Sequence, residues 1–279
     1  MIKKSIAFLS LIATLLQGNA QKKYAANANM VQVNTSAGTW SLQRYGKTIL
    51  KCSYTPNNST KNEYVGDAVN ALSLLSDAPT ITNQPNGEKV VAWRELEVKI
   101  DGEKLLVNNL VTLQPAVYGN GFKGFQFPLT KEEKIYGGGS RAIGLNRRGY
   151  WLNLYNAPAY GYSNGAENLN YSVPFLTSSN GYALLFDNPS SGYFDIGKTN
   201  ANTLQYGAYS GELNCYIILG ATPKEILTQY HSLTGTQPLP PRWALGNFMS
   251  RFGYTSTQQV NEIAASMQAA KIPFDAIIF

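Results

Sequence analysis

Between residues 21 and 130, apolar positions alternate with polar ones in short runs, or fill runs of three or four, with turn-forming residues between them. Lys89-Val-Val-Ala-Trp, Leu96-Glu-Val-Lys-Ile and Leu105-Leu-Val are examples. Alternation gives a strand one apolar face and one wet face. Asp101-Gly102 stands between Lys99-Ile100 and Glu103-Lys104, and an Asp-Gly pair between such runs predicts a tight hairpin. Strands at this spacing predict an antiparallel sandwich. Residues 57–88 are rich in Asn, Asp, Pro and Thr and predict a long surface connection. Residues 131–220 keep the strand pattern, with a Tyr136-Gly-Gly-Gly-Ser loop and strands at Gly181-Tyr-Ala-Leu-Leu-Phe and Asn214-Cys-Tyr-Ile-Ile-Leu.

The period then changes. Thr222-Pro-Lys-Glu offers a capping Thr, a Pro at the first helical position and a Glu three residues after the cap. Ile226, Leu227, Tyr230 and Leu233 form the stripe that follows, and Gly235 ends it. Thr236-Gln-Pro-Leu-Pro-Pro reads as a stiff linker. Beyond it, Ala244-Leu-Gly-Asn-Phe predicts a strand, Ser256 caps a helix with Val260, Ile263, Ala264 and Met267 on one face, and Phe274-Asp-Ala-Ile-Ile-Phe predicts a second strand. Parallel strands need helices over both sheet faces, so this unit is expected to open a larger domain. After a sandwich, a (β/α)8 barrel fits best; such barrels typically take ~250 residues. The expected fold class is therefore β followed by the start of α/β. Residues 1–20 are expected to be a signal peptide, 21–235 the sandwich, 236–241 the linker and 242–279 the truncated start of the barrel.

The first twenty residues rest on their own pattern. Met1-Ile-Lys-Lys is basic, Ile6 to Leu16 is a short apolar run, and Gly18-Asn-Ala offers small residues for cleavage after Ala20. The run is too short to span a bilayer comfortably. Gln21, not a Cys, stands directly after the cleavage position, so no membrane anchor is expected after cleavage. The mature chain is expected in the periplasm or outside the cell. Much of the formal charge of +6 comes from Lys3, Lys4, Lys22 and Lys23. No basic cluster with interleaved aromatics occurs elsewhere, which argues against a nucleic-acid partner.

Charged residues make up only 14% of the 279, against a usual ~25%. Polar uncharged residues and 18 Tyr take their place, which suits a turn-rich β protein that meets neutral polar ligands. Cys52 and Cys215 lie in strand-like sequence, where a disulfide and two buried thiols are both open readings. His231 is the single His and no CxxC spacing occurs, so a metal or other cofactor is not expected.

A family resemblance rests on several motifs in order. Leu239-Pro-Pro-Arg-Trp-Ala-Leu-Gly, Ser250-Arg-Phe-Gly-Tyr and Ile272-Pro-Phe-Asp resemble the start of the barrel in glycoside hydrolase family 31, the α-glucosidases and α-xylosidases. Upstream, Tyr136-Gly-Gly-Gly, Leu145-Asn-Arg-Arg-Gly, Tyr155-Asn-Ala-Pro, Val173-Pro-Phe-Leu and Leu185-Phe-Asp-Asn-Pro match the family's galactose-mutarotase-like sandwich in the same order. The resemblance implies a retaining α-glycosidase that takes an oligosaccharide substrate and uses two Asp residues from later barrel strands. Neither is assigned to a residue of this sequence, so the 279-residue chain is expected to be inactive by itself.

The same resemblance implies three sugar-contacting residues. Phe252 follows the first barrel strand, where relatives often have Tyr. Asn156 stands in a sandwich loop where Asp is common, next to Tyr155. A further Asp is expected just after Phe279. The other acids receive structural readings: Asp275 at the start of a strand, Glu132 and Glu133 in a solvated charge cluster, and Glu167, Asp187 and Asp195 in turns. The competing functions are a non-enzymatic carbohydrate-binding sandwich and a transglycosylase or lyase of the same architecture.

Overall fold

The computed structural model describes residues 30–57, 59, 66, 68–69, 77–157, 161–167 and 169–278. The signal-peptide reading of residues 1–20 lies outside them. The chain divides into two compact units, Met1–Gly235 and Thr236–Phe279.

In the first unit, strands β1 (Val31–Asn34), β2 (Gly38–Tyr45) and β3 (Ile49–Pro56) form consecutive antiparallel pairs. A meander follows: β4 (Thr80–Asn83), β5 (Lys89–Ala92), β6 (Glu97–Asp101), β7 (Lys104–Val107), β8 (Val111–Val117) and β9 (Lys123–Pro128). The remaining strands are β10 (Ile135–Gly137), β11 (Tyr150–Leu154), β12 (Phe175–Ser178), β13 (Tyr182–Phe186), β14 (Gly192–Ile196), β15 (Thr203–Ala208) and β16 (Leu213–Leu219). They make two antiparallel sheets, ordered β1-β2-β3-β16-β13-β12-β10 and β11-β14-β15-β9-β8-β7-β6-β5-β4. The predicted hairpin is present: Asp101 pairs with Lys104, and Gly102 takes φ 56°.

One core fills the space between the sheets. Trp40 of β2 stacks on Phe125 of β9 at 5.9 Å, and Phe186 of β13 stacks on Tyr206 of β15 at 4.0 Å. A second cluster lies on the other face of the seven-stranded sheet. There Tyr45, Ile49, Leu185, Tyr216 and Ile218 meet Ile226 and Leu233 of helix α1 (Pro223–Thr234). This explains why β13 and β16 are buried at every position, where a one-faced strand would alternate. The helix starts as its sequence predicts. Thr222 Oγ1 accepts from Glu225 N at 3.2 Å, while the Glu225 carboxylate accepts from Ala221 N at 2.8 Å. Leu227, expected in the apolar stripe, is exposed.

Cys52 and Cys215 face each other in register across β3 and β16, both fully buried and both free thiols. Burial pushes both thiols up from their ordinary range.

Glu133 is a correction to the charge-cluster reading. It is buried, and its carboxylate accepts from Ser178 Oγ, from Tyr182 Oη at 2.6 Å and from Thr130 N at 3.0 Å. Glu132 remains exposed. The local sequence shows only alternating charges; two of the three donors come from positions brought near by β12 and β13.

The second unit holds a 3-10 turn (Arg242–Leu245), strand β17 (Phe248–Ser250), helix α2 (Thr257–Ala269) and strand β18 (Ala276–Ile278). β17 and β18 pair in parallel, with Phe248 opposite Ala276. The strand expected from Ala244 therefore begins four residues later. Gly246 N donates to Trp243 O and closes the turn. Asp275 then holds the chain, accepting from Asn247 N at 2.9 Å. A Cβ at Gly246 would lie 2.0 Å from the Asp275 carboxylate, so the apolar run Ala244-Leu is bent there. Ser256 Oγ caps α2 by accepting from Gln259 N at 3.1 Å.

Candidate functional site

The candidate loop starts from three glycines. Gly137, Gly138 and Gly139 have φ of 108°, 78° and 89°, a region that side chains with a Cβ rarely adopt. The turn brings main chain against main chain: Gly138 N donates to Phe175 O and Ser140 N donates to Tyr171 O at 2.7 Å.

Three arginines after this turn bond to carbonyl oxygens. Arg141 is buried and donates to Gly138 O, Glu167 O (2.7 Å) and Asn153 O (2.7 Å), and to Ser172 Oγ (3.0 Å). Arg147 donates to Gly137 O, Ile143 O and Gly144 O. Arg148 donates to Thr130 O, Glu133 O and Ala201 O. Burial draws Arg141 below the ordinary guanidinium range, and the nearby Arg147 cation adds to this while Glu167 opposes it. Burial also lowers Arg147. A guanidinium keeps its charge against such shifts, so all these donors stay in place at any physiological pH.

β11 leads directly into Tyr155 and Asn156. Tyr155 is exposed, while its main-chain oxygen accepts from Ser172 Oγ at 3.4 Å. Asn156 is also exposed, and its Oδ1 accepts from Ser172 N at 2.6 Å. Both side chains are neutral and polar at their tips, which suits hydrogen bonding to hydroxyl groups and offers no carboxylate for proton transfer.

Phe252 lies in the second unit, two residues past β17, with its ring wholly exposed. It stands at the C-terminal end of a parallel strand, the end at which barrel enzymes build their sites. Its neighbours are better held: the Arg251 guanidinium sits 5.1 Å from the centre of the Tyr254 ring. The structure thus places Tyr155 and Asn156 together on one loop and Phe252 on a strand end of the other unit.

Sequence reasoning missed Arg141 and Ser172. An Arg within a Gly-rich loop is a usable signal, since loops leave carbonyls that need donors. Ser172 carries no such signal, because its role depends on a contact sixteen residues away. Among the described residues, no group of three or more His, Cys, Asp and Glu is arranged to hold a metal. An open depression of about 700 Å³ lies elsewhere on the sandwich, lined by Lys47, Asn108, Asn180, Glu225 and Gln229. Neither Tyr155 nor Asn156 lines it.

The family model described as the glycosyl hydrolase 31 N-terminal galactose mutarotase-like domain matches residues 37–195, more than half of the chain. The chain belongs to glycosyl hydrolase family 31. The family's TIM-barrel domain model matches residues 237–279, so family 31 accounts for both units.

Among family 31 relatives, the chain is 37% identical to Alpha-glucosidase 2 of Bacillus thermoamyloliquefaciens over 153 residues, 53% of this chain and 19% of the relative. It is 33% identical to Alpha-xylosidase XylQ of Lactiplantibacillus pentosus over 156 residues, 55% of this chain and 20% of the relative. The chain thus spans about a fifth of these relatives' length. Among solved structures, the family 31 dextranase FjDex31A of Flavobacterium johnsoniae, complexed with glucose, matches with a TM-score of 0.80 at 26% identity. That match covers 89% of this chain and 32% of the dextranase.

Proposed function

We propose that this chain is the N-terminal part of a retaining α-glycosidase that hydrolyses α-linked glucosides or related oligosaccharides. One observation carries the reading. The family 31 sandwich and the opening of the family 31 barrel follow each other in one chain, and the relatives include an α-glucosidase and an α-xylosidase. The dextranase neighbour has been seen with glucose and, in a mutant form, with isomaltotriose, which supports an α-glucan ligand.

A retaining mechanism uses two carboxylates about 5–5.5 Å apart, one a nucleophile and the other an acid/base. This reading assigns neither to residues 1–279. What the chain supplies is sugar binding. Asn156 donates to sugar oxygens, Tyr155 offers an exposed ring with a hydroxyl, and Phe252 offers an apolar ring to a sugar face. With Phe where relatives often carry Tyr, that ring stacks without adding a hydrogen bond.

The test is turnover by the intact natural protein of 4-nitrophenyl α-glucopyranoside, the matching α-xyloside and isomaltotriose. The expected result is hydrolysis of at least one, with the α-anomer appearing first by proton NMR. Release of the β-anomer first, or inertness toward all three, overturns the proposal. Residues 1–279 produced alone are expected to give no turnover above background.

We also propose export, on the strength of the basic, apolar and small-residue segments of residues 1–20. Among the described residues, no helix is long and apolar enough to cross a membrane. N-terminal sequencing of the mature protein is expected to begin at Gln21; an intact Met1 refutes export by this route.

A further inference from the structure

Asn156 is exposed, yet its carboxamide has one permitted orientation. The main-chain N–H of Ser172 donates to Oδ1 at 2.6 Å. A backbone N–H can be met only by an acceptor, so flipping the amide would set donor against donor. The Nδ2 hydrogens are therefore the side turned away from Ser172.

Ser172 is itself held. Its Oγ accepts from Arg141 Nη2 at 3.0 Å and lies 3.4 Å from both Asn153 O and Tyr155 O. The same guanidinium nitrogen donates to Asn153 O at 2.7 Å. Arg141 thus grips both sides of the loop: the outgoing strand at Asn153 and the returning segment at Glu167 and Ser172. Its Nε bond to Gly138 O anchors the guanidinium to the glycine turn.

We propose that Arg141 and Ser172 are positioning residues that hold Asn156 as a hydrogen-bond donor, so that the loop selects glycosides presenting an acceptor oxygen at that point. The inference rests on the reading of Asn156 as a sugar contact. An Asp at this position would keep one oxygen on the Ser172 N–H and turn the other outward as an acceptor. Asn and Asp would therefore demand opposite hydrogen-bond characters from the same sugar position. Because the loss of a needed partner leaves a polar group unpaired, such sites reject the wrong analogue strongly.

The experiment uses the intact protein and whichever 4-nitrophenyl α-glycoside it turns over. Analogues replace each hydroxyl in turn by hydrogen or by fluorine. Fluorine can accept a hydrogen bond but cannot donate one. With the natural protein, one position is expected to show a gap in binding, read as Ki in competition with the parent glycoside because fluorine by itself slows the bond cleavage: the fluoro sugar binds within about threefold of the parent, while the deoxy sugar binds about tenfold more weakly. Asn156→Asp is expected to lose both analogues equally. Arg141→Lys keeps the charge and loses the fork; it is expected to raise KM by about fivefold, leave kcat nearly unchanged and narrow the fluoro–deoxy gap.

Asn156→Ala separates the two levels of failure. If Asn156→Ala leaves KM and kcat unchanged, the sugar contact itself is wrong. If it raises KM but no position shows the fluoro–deoxy gap in the natural protein, the contact stands and the donor orientation is wrong. If Arg141→Lys lowers the melting temperature while the gap persists, Arg141 is structural only. Should Arg141→Lys fail to fold, the analogue series on the natural protein and on Asn156→Asp still decides the orientation.

Discussion

Glu133→Gln is expected to cost the sandwich about 2–4 kcal/mol, although the substitution keeps size and shape. Glu133 is only 3% exposed, and both of its oxygens accept. Oε1 takes the Ser178 and Tyr182 hydroxyls, and Oε2 takes Thr130 N and, at 3.4 Å, Thr130 Oγ1. A glutamine that keeps its oxygen on Thr130 N turns its amino group toward the two hydroxyls, which must then reverse to accept and lose the charge-assisted bonds they made to the carboxylate. Urea denaturation followed by fluorescence measures the loss. Glu133→Gln combined with Tyr182→Phe removes one of the donors, and the pair is expected to cost less than the sum of the single changes. A single-variant loss below about 0.5 kcal/mol, the range of ordinary surface changes, contradicts this account.

Gly139→Ala is expected to cost about 3 kcal/mol or more. Two penalties combine: backbone strain at φ 89°, and a Cβ that would stand 2.2 Å from Tyr171 O. The clash is with main chain, which no rotamer change relieves. For a domain of this size each kcal/mol moves the melting temperature by about 2–4 °C, so calorimetry should show a fall of about 6–12 °C. Gly165→Ala is the informative control: its φ is 92°, but a Cβ added there would meet nothing within 4 Å. It should suffer the strain alone and lose clearly less. Equal losses at the two positions would show that the close approach contributes nothing.

Much of this fold is legible in the sequence because its signals are local. The Asp101-Gly102 turn, the Thr222 cap with Glu225, and the Ser256 cap each depend on residues within four positions of one another. The full burial of β16 is less legible, since its second apolar partner is α1, contributed by the next segment. Ala244-Leu misleads for a related reason. Its apolar pattern suits a strand, but Asn247 and Asp275 hold the chain in a turn from 28 positions apart. Glu133 misleads because charge alternation describes the local chain and says nothing of Tyr182, 49 positions away. The loop at Asn156 is legible as a motif, whereas the pieces that orient it are not. Arg141 and Ser172 are separated by 31 positions and meet only once the sandwich has formed.

The arginine contacts have an evolutionary consequence. Arg141, Arg147 and Arg148 reach almost entirely for peptide carbonyls. Every amino acid carries that group, so the grip is indifferent to which side chain the gripped residue bears. Substitutions can accumulate along the loops while their path is preserved. Variation in what the loops display is thereby uncoupled from variation in their shape, and a lineage can explore new surfaces without first rebuilding the support beneath them.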